Sequence, residues 1–266
     1  YGDPLMPDPA RPVEADYVMI ESTYGNRIHD KTEPEDALRA VVERTIKRGG
    51  TLVVPAFAVG RAQELLYYFW KLKQAGGLGD VPVFLDSPMA IDATGLMGRH
   101  PGDHRLDLES CKKVFGIARY TDDVEASKAI SSSRVPKIVI SASGMATGGR
   151  VLHHLKTFAP DPRNTILLAG FQAAGTRGRS LQDGAKELKV HGAWIPVNAE
   201  VAHLDMLSAH ADADELMRWL SGFPHPPRKV FIVHGEAEAS EALRVRIGRE
   251  LGWVGVVPRL DQEFSL

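Results

Sequence analysis

Short apolar runs alternate with amphipathic stretches along most of this chain. Residues 16–21 read as a buried strand that ends in the carboxylate of Glu21, and a turn, Ser22-Thr23-Tyr24-Gly25-Asn26-Arg27, follows at once. Thr32-Glu33-Pro34-Glu35 has the form of a capping box and opens a helix whose apolar stripe is Leu38, Val41, Val42 and Ile46, closed by Gly49-Gly50. Then come a strand at 51–55, a helix at 61–74, a strand at 81–85 and a helix from about Pro88. Strand and helix taking turns at this interval predict βαβ units and a mainly parallel sheet, so the fold class is α/β. Residues 100–135 are rich in charge and serine, and the pattern assigns no element there. Order resumes with a strand at 137–141, a glycine-rich turn, a helix at 150–157, a strand at 165–169 and a second glycine-rich turn through Gly170 and Gly178. Short alternating pieces over 186–206 predict antiparallel strands at a sheet edge. The last third predicts a helix from about Asp212 to Leu220, a strand at 229–233, a helix at 236–251 and a strand at 255–257. Ala239, Leu243, Ile247 and Leu251 mark one face of that last helix. Residues 1–15, with prolines at 4, 7, 9 and 12, read as an extended lead-in.

Composition narrows the class. With 266 residues, 44% hydrophobic, the chain can bury a large core or two modest ones. A net charge of −2 provides no global basic field, so a polyanion must be held by local arginines. One cysteine, Cys111, excludes an intrachain disulfide and a cysteine-rich zinc site, and suits a reducing cytoplasm. No apolar run approaches the length that spans a bilayer, and the first residues do not resemble a signal peptide. These features lead to the expectation of a cytoplasmic protein with no membrane partner.

Three residues stand at exits of apolar strands or just before helices: Glu21, His210 in Met206-Leu207-Ser208-Ala209-His210-Ala211-Asp212, and His234 in Phe231-Ile232-Val233-His234-Gly235-Glu236. Parallel strands bring such exits to one edge, where a carboxylate and imidazoles make a metal or acid–base site. Each histidine equally serves as a helix cap or a partner to a backbone carbonyl. Two glycine-rich loops follow strands. Ser141-Ala142-Ser143-Gly144-Met145-Ala146-Thr147-Gly148-Gly149-Arg150 lets backbone N–H groups approach an anion, with Arg150 adding charge. The stretch from Gly170 to Arg179 repeats the logic with Arg177, Arg179 and the ring of Phe171. Neither is a P-loop or a dinucleotide fingerprint, and both equally serve as packing turns. The loop from Pro55 to Arg61 is a weaker version, in which Arg61 pairs with Glu64 on its own helix. His153 and His154 are adjacent on a helix and face different ways; His29, His100, His104, His191 and His225 fall in loops or at ends and are expected to be solvated. His203, seven residues before His210, is a candidate for support of that site.

Taken together, Glu21-Ser22-Thr23-Tyr24-Gly25, Ser208-Ala209-His210-Ala211-Asp212 and Val233-His234-Gly235-Glu236, in this order and with a long α/β block between the first two, closely resemble three signature motifs of the β-CASP family of the metallo-β-lactamase superfamily. Pro55 to Arg61, Asp86-Ser87-Pro88-Met89-Ala90 and the two glycine-rich loops look like the bacterial and archaeal RNA-processing members. The resemblance implies a zinc-dependent ribonuclease in which two metal ions support in-line attack on phosphorus. It implies that His234 ligates zinc, that His210 protonates the leaving oxygen and that Glu21 orients His210. Ser141, Ser143, Gly144, Gly148, Gly149, Arg150, Arg177 and Arg179 then match places where RNA phosphates are held. The implied layout is a metallo-β-lactamase segment at 1–25, a β-CASP domain at 26–198 and a second metallo-β-lactamase segment at 199–266, part of an αββα sandwich, with RNA in the cleft between domains.

The sequence also departs from that family. Its His-x-His-x-Asp-His run, a further histidine and a metal-bridging aspartate all precede the first of these motifs, and none is present; Asp3 lies too close to Glu21 to be the bridging residue. The chain is therefore expected to be the C-terminal part of a longer protein, inactive alone, associating either as a homodimer or with the missing N-terminal half. Two other readings stay open: a non-catalytic RNA-binding or scaffolding piece, and another hydrolase of this fold acting on small esters.

Overall fold

A computed structural model describes residues 1–265. Its elements run β1 (Tyr17–Glu21), α1 (Pro34–Lys47), β2 (Thr51–Pro55), α2 (Arg61–Gln74), β3 (Val83–Leu85), α3 (Pro88–Arg99), α4 (Leu108–Phe115), β4 (Ala118–Tyr120), α5 (Val124–Ser132), β5 (Lys137–Ser141), α6 (Val151–Phe158), β6 (Thr165–Ala169), α7 (Arg177–Gln182), β7 (Glu187–Val190), β8 (Ala193–Pro196), β9 (Glu200–Leu204), α8 (Ala213–Leu220), β10 (Lys229–Val233), α9 (Ala237–Leu251) and β11 (Gly255–Val256). They divide into two compact units. The first is made of residues 1–3, 7–30 and 210–266, and the second of residues 4–6 and 31–209.

The second unit is built on a six-stranded sheet in the order β4-β3-β5-β2-β6-β9, every pairing parallel. Its central strands β2, β5 and β6 are buried at every residue, which is why they read as unbroken apolar runs rather than alternating ones. Side chains alternate between faces all the same. Leu52, Val54, Ile138, Ile140 and Leu167 join one cluster with Leu38, Leu65, Phe69 and Leu72 of α1 and α2, while Val53, Ile166 and Leu168 join another with Leu152, Leu155 and Phe158 of α6. Helices therefore cover both faces. The carboxyl ends of β2, β3, β5 and β6 lead into the loops at 56–60, 86–87, 142–150 and 170–176, the edge at which open α/β sheets bind ligands.

The first unit has a three-stranded parallel sheet, β1-β10-β11, with α8 and α9 on one face. Val18, Ile20, Val230 and Ile232 point into a core with Leu216, Met217, Leu220, Leu243 and Ile247.

Three expectations change. The helix α1 starts at Pro34, and its preceding residue Glu33 makes no side-chain cap bond; Pro34 at the first helical position needs no N–H partner and sets φ, so no capping box forms at Thr32. The antiparallel pair β7–β8 makes its own two-stranded sheet, whereas β9 pairs parallel with β6 on the edge of the large one. Residues 100–135 contain α4, β4 and α5, capped by Asp107 and Asp123, whose carboxylates accept from the backbone N–H of Ser110 and Ala126. No helix of the described residues is long and apolar enough to cross a membrane.

Candidate active site

Glu21 is the last residue of β1, and His234 immediately follows β10, its parallel neighbour, in which Glu21 pairs with Val233. The two side chains are thus delivered by adjacent strand ends. His210 arrives from the segment that precedes α8, where Asp212 caps the helix in a capping box with Glu215. Ser22 Oγ, fully buried, donates to the carbonyl of Val233 at 2.9 Å and touches Ser240 Oγ of α9 at 2.8 Å, fixing the two strand exits to the helix behind them.

The resulting constellation is compact. His210 Nδ1 lies 2.7 Å from Glu21 Oε2, and the rings of His210 and His234 have centroids 5.4 Å apart. One ligand atom each from Glu21, His210 and His234 falls within 4.8 Å of the other two, a donor set of two imidazoles and a carboxylate that suits zinc. Burial pushes the Glu21 carboxyl up, but hydrogen bonds from His210 and Thr23, with the charge of His210, outweigh it and hold the carboxyl below its ordinary value. An ionised carboxylate only accepts, so Nδ1 of His210 carries the proton and Nε2 is the nitrogen left to exchange one.

Thr23 sets the other imidazole. Its hydroxyl donates to the carbonyl of His234 at 3.2 Å and lies 3.2 Å from His234 Nδ1. The carbonyl and the Glu21 carboxylate, which the hydroxyl also reaches, only accept, so its single proton goes to one or other of them and the oxygen accepts from Nδ1–H, which leaves the lone pair of the neutral ring on Nε2, the form that ligates a metal. His234 itself has φ of +60°, in the left-handed region where a non-glycine residue costs of order 1–3 kcal/mol and which clusters at functional sites. Because Glu21 and His210 are engaged with each other, His234 is the donor of this set best prepared for zinc.

Two further residues belong to the site. Thr23 lies inside a recognised motif, but no local pattern marks its hydroxyl. His29, expected to be solvated, is half-buried: its Nε2–H donates to the carbonyl of His210 at 2.9 Å, its backbone N–H donates to Asp212 Oδ2 at 3.1 Å, and its ring packs edge-on against Tyr24 at 4.7 Å. It clamps the segment that presents His210. His203 lies in the second unit, where it donates to the carbonyl of Gly170 at 3.1 Å.

In the second unit the two glycine-rich loops are locked together. Buried Gln172 donates from Nε2 to the carbonyls of Gly144 and Gly170, the N–H of Gly178 donates to Met145, and Arg177 donates to the carbonyls of Ala146, Thr147 and Lys189. Gly149, at φ of +80°, closes the first loop so tightly that a Cβ there would lie 2.4 Å from the carbonyl oxygen of Ala142. Ser143 Oγ accepts from the N–H groups of Thr147 and Gly148. Ser141, buried, donates to the carbonyl of Asp86 at 2.7 Å. Arg150 is held by Asp86 Oδ1 at 2.7 Å and by the carbonyls of Thr121 and Asp122. Arg179 pairs with Asp183 on the surface, and Arg61 pairs with Glu64 as the helix spacing predicted. Phe57, 45% exposed, sits directly over Gly144, where a Cβ would come within 2.7 Å of its ring.

Two known families match parts of this chain. The family described as the Beta-Casp domain matches residues 62–181, and the one described as the Zn-dependent metallo-hydrolase RNA specificity domain matches residues 194–258. Ribonuclease TTHA0252 of Thermus thermophilus is 36% identical over 247 residues, 90% of this chain and 56% of that protein. Transcription termination factor FttA of Methanosarcina mazei is 36% identical over 251 residues, 88% and 39% of the two chains. The RNase J-like protein of Methanocaldococcus jannaschii is 33% identical over 252 residues, 92% and 58%. This chain thus spans about 40 to 60% of the length of these relatives. Two adjoining domain matches and relatives of the ribonuclease type, over a parallel-sheet α/β structure, lead to one assignment: the chain belongs to the β-CASP family of the metallo-β-lactamase superfamily.

Proposed function

We propose that this protein acts in hydrolysis of RNA phosphodiester bonds with zinc as cofactor, in the cytoplasm. The observation that carries this reading is the hydrogen bond between Glu21 Oε2 and His210 Nδ1, 2.7 Å long, beside His234. In this reading the second unit corresponds to the β-CASP domain and the first to part of a metallo-β-lactamase sandwich, with other ligands to the metal coming from outside the three residues named.

His234 would hold zinc through Nε2, as its contact with Thr23 prepares it to do. Zinc, when bound, supplies Lewis-acid stabilisation of charge developing on the phosphate and makes water a stronger nucleophile near neutral pH. His210, protonated at both nitrogens, gives the Nε2 proton to the departing ribose oxygen, and Glu21 stabilises the imidazolium while the proton is held. His29 and Thr23 keep that imidazole in place. RNA phosphates meet Ser143 and the backbone of Gly144, Gly148 and Gly149, in loops whose form is maintained by Ser141, Arg150 and Arg177; Arg179, paired only at the surface, adds an exchangeable cation. Phe57 offers a ring on which a base stacks. The proposed partner is RNA, with no membrane; a second copy of the chain or a separate N-terminal half would complete the assembly.

The test is zinc content and RNA cleavage measured together. His234→Ala is expected to lower the zinc equivalents retained after gel filtration. His210→Ala should retain zinc and lose activity by about 10²- to 10⁴-fold, the usual weight of a general acid. Unchanged zinc in the first variant, or unchanged cleavage in the second, overturns the assignment.

A further inference from the structure

A second cleft lies in the second unit, between α5 and α6, away from the glycine-rich loops' shared lock. Its volume is about 460 Å³. That is room for a phosphate ester the size of a mononucleotide.

Its lining carries positive charge and no carboxylate. Lys128, Arg150, His153 and Lys156 line it with Ser131 and Thr157, and no Asp or Glu does. Asp86, beneath the cleft, is fully buried and already bonded to Arg150, His154 and Ser127, so its charge is matched from within. The floor is rigid for the same reason: His154 Nε2 donates to Asp86 at 2.6 Å, and Ser131 Oγ lies 3.2 Å from His154 Nδ1. Above that floor the cations are available. Lys156 is exposed and forms no ion pair among the described residues. Lys128 pairs only with Glu125 of its own helix, both side chains being more than two-thirds exposed, and such a pair is worth little enough to exchange for a better anion. His153 stacks on His191 at 4.4 Å. Its pKa is lowered by burial and then by the charges of His191, His154 and Lys156, so the local field is positive.

We propose that the cleft between α5 and α6 binds a phosphate ester, held by Lys128, Lys156 and His153. The ligand is either a free nucleotide or a phosphate of an RNA chain, since both present the same anion. This site is separate from the zinc chemistry and does not rest on it.

The experiment is a titration of the purified protein with 5′-AMP, adenosine and a short single-stranded RNA bearing a 5′-hydroxyl, followed by calorimetry and by backbone amide shifts, before and after treatment with a chelator. Saturable binding of 5′-AMP or of the RNA, with adenosine silent and shifts at Ser131, His153 and Lys156, is the result expected; 5′-AMP alone identifies a nucleotide, and the RNA identifies the phosphodiester chain. Lys128→Gln with Lys156→Gln should weaken it by about tenfold or more, while Lys113→Gln on α4 leaves it unchanged. Absence of saturable binding, indifference to the double variant, or loss of binding on chelation each overturns the proposal. The failure of the ribonuclease reading would show instead in the His234 and His210 variants, so the two are distinguishable.

Discussion

Thr23 has one hydroxyl proton and four groups within reach of its oxygen: the carboxylate of Glu21, the carbonyl and Nδ1 of His234 and, at 3.4 Å, Nδ1 of His210. Its removal should therefore act on the metal rather than on stability. Thr23→Val is expected to weaken zinc affinity by about 10- to 100-fold, the range for a partner that orients a ligating histidine, with Thr23→Ser restoring it; competition with a chromophoric chelator measures this. His29 acts one step further back. His29→Ala should lower kcat with little change in KM, and His29→Gln, which keeps an N–H near the His210 carbonyl, should recover part of the loss. Glu21, His210 and His234 were legible in sequence because each ends an apolar strand or precedes a helix within a recognisable motif. Thr23 and His29 were not, since a hydroxyl shared between two imidazoles, and a loop histidine folded back on a backbone carbonyl 181 residues away, leave no local pattern.

At the scale of elements, the strands were the clearest signal and the short helices the weakest. Runs such as Ile138-Val139-Ile140 have no polar position because both faces of the sheet are covered, and the resulting boundaries of β2, β5, β6 and β10 match the reading of the sequence. The three elements between residues 100 and 135 are 8, 3 and 9 residues long, too brief for a periodic pattern to emerge. Two elements carry expectations of their own. Gly235 follows β10 so closely that a Cβ would lie 2.3 Å from Ser22 Oγ; Gly235→Ala should cost about 1–3 kcal/mol in urea unfolding and displace His234. Asp86 connects the end of β3 to α5 and α6. Burial raises its carboxyl, but hydrogen bonds from His154, Ser127 and Arg150 outweigh that and hold it below 3.8. The folded value being depressed, this contribution is complete above 3.8 and fades as pH falls through the lower folded value. Asp86→Asn should therefore destabilise by about 3–5 kcal/mol near neutral pH and by less at pH values below the folded pKa, measured by chemical denaturation across pH.

At the scale of the molecule, the first unit is assembled from both ends of the described chain, and the second is almost entirely the stretch between them. Tyr17 pairs with Lys229, and the carboxylate of Glu21 meets an imidazole 189 residues later. Contacts of that separation form late, because loop closure must be paid before they return any stability. During synthesis the six-stranded sheet has all its strands once residue 204 has emerged, whereas β10 and His234 are still to come. The order of translation thus makes the cluster of Glu21, His210 and His234 the last part to take shape: a ribosome-bound intermediate has a finished six-stranded sheet while two of the three strands that deliver and flank the cluster are still to be made.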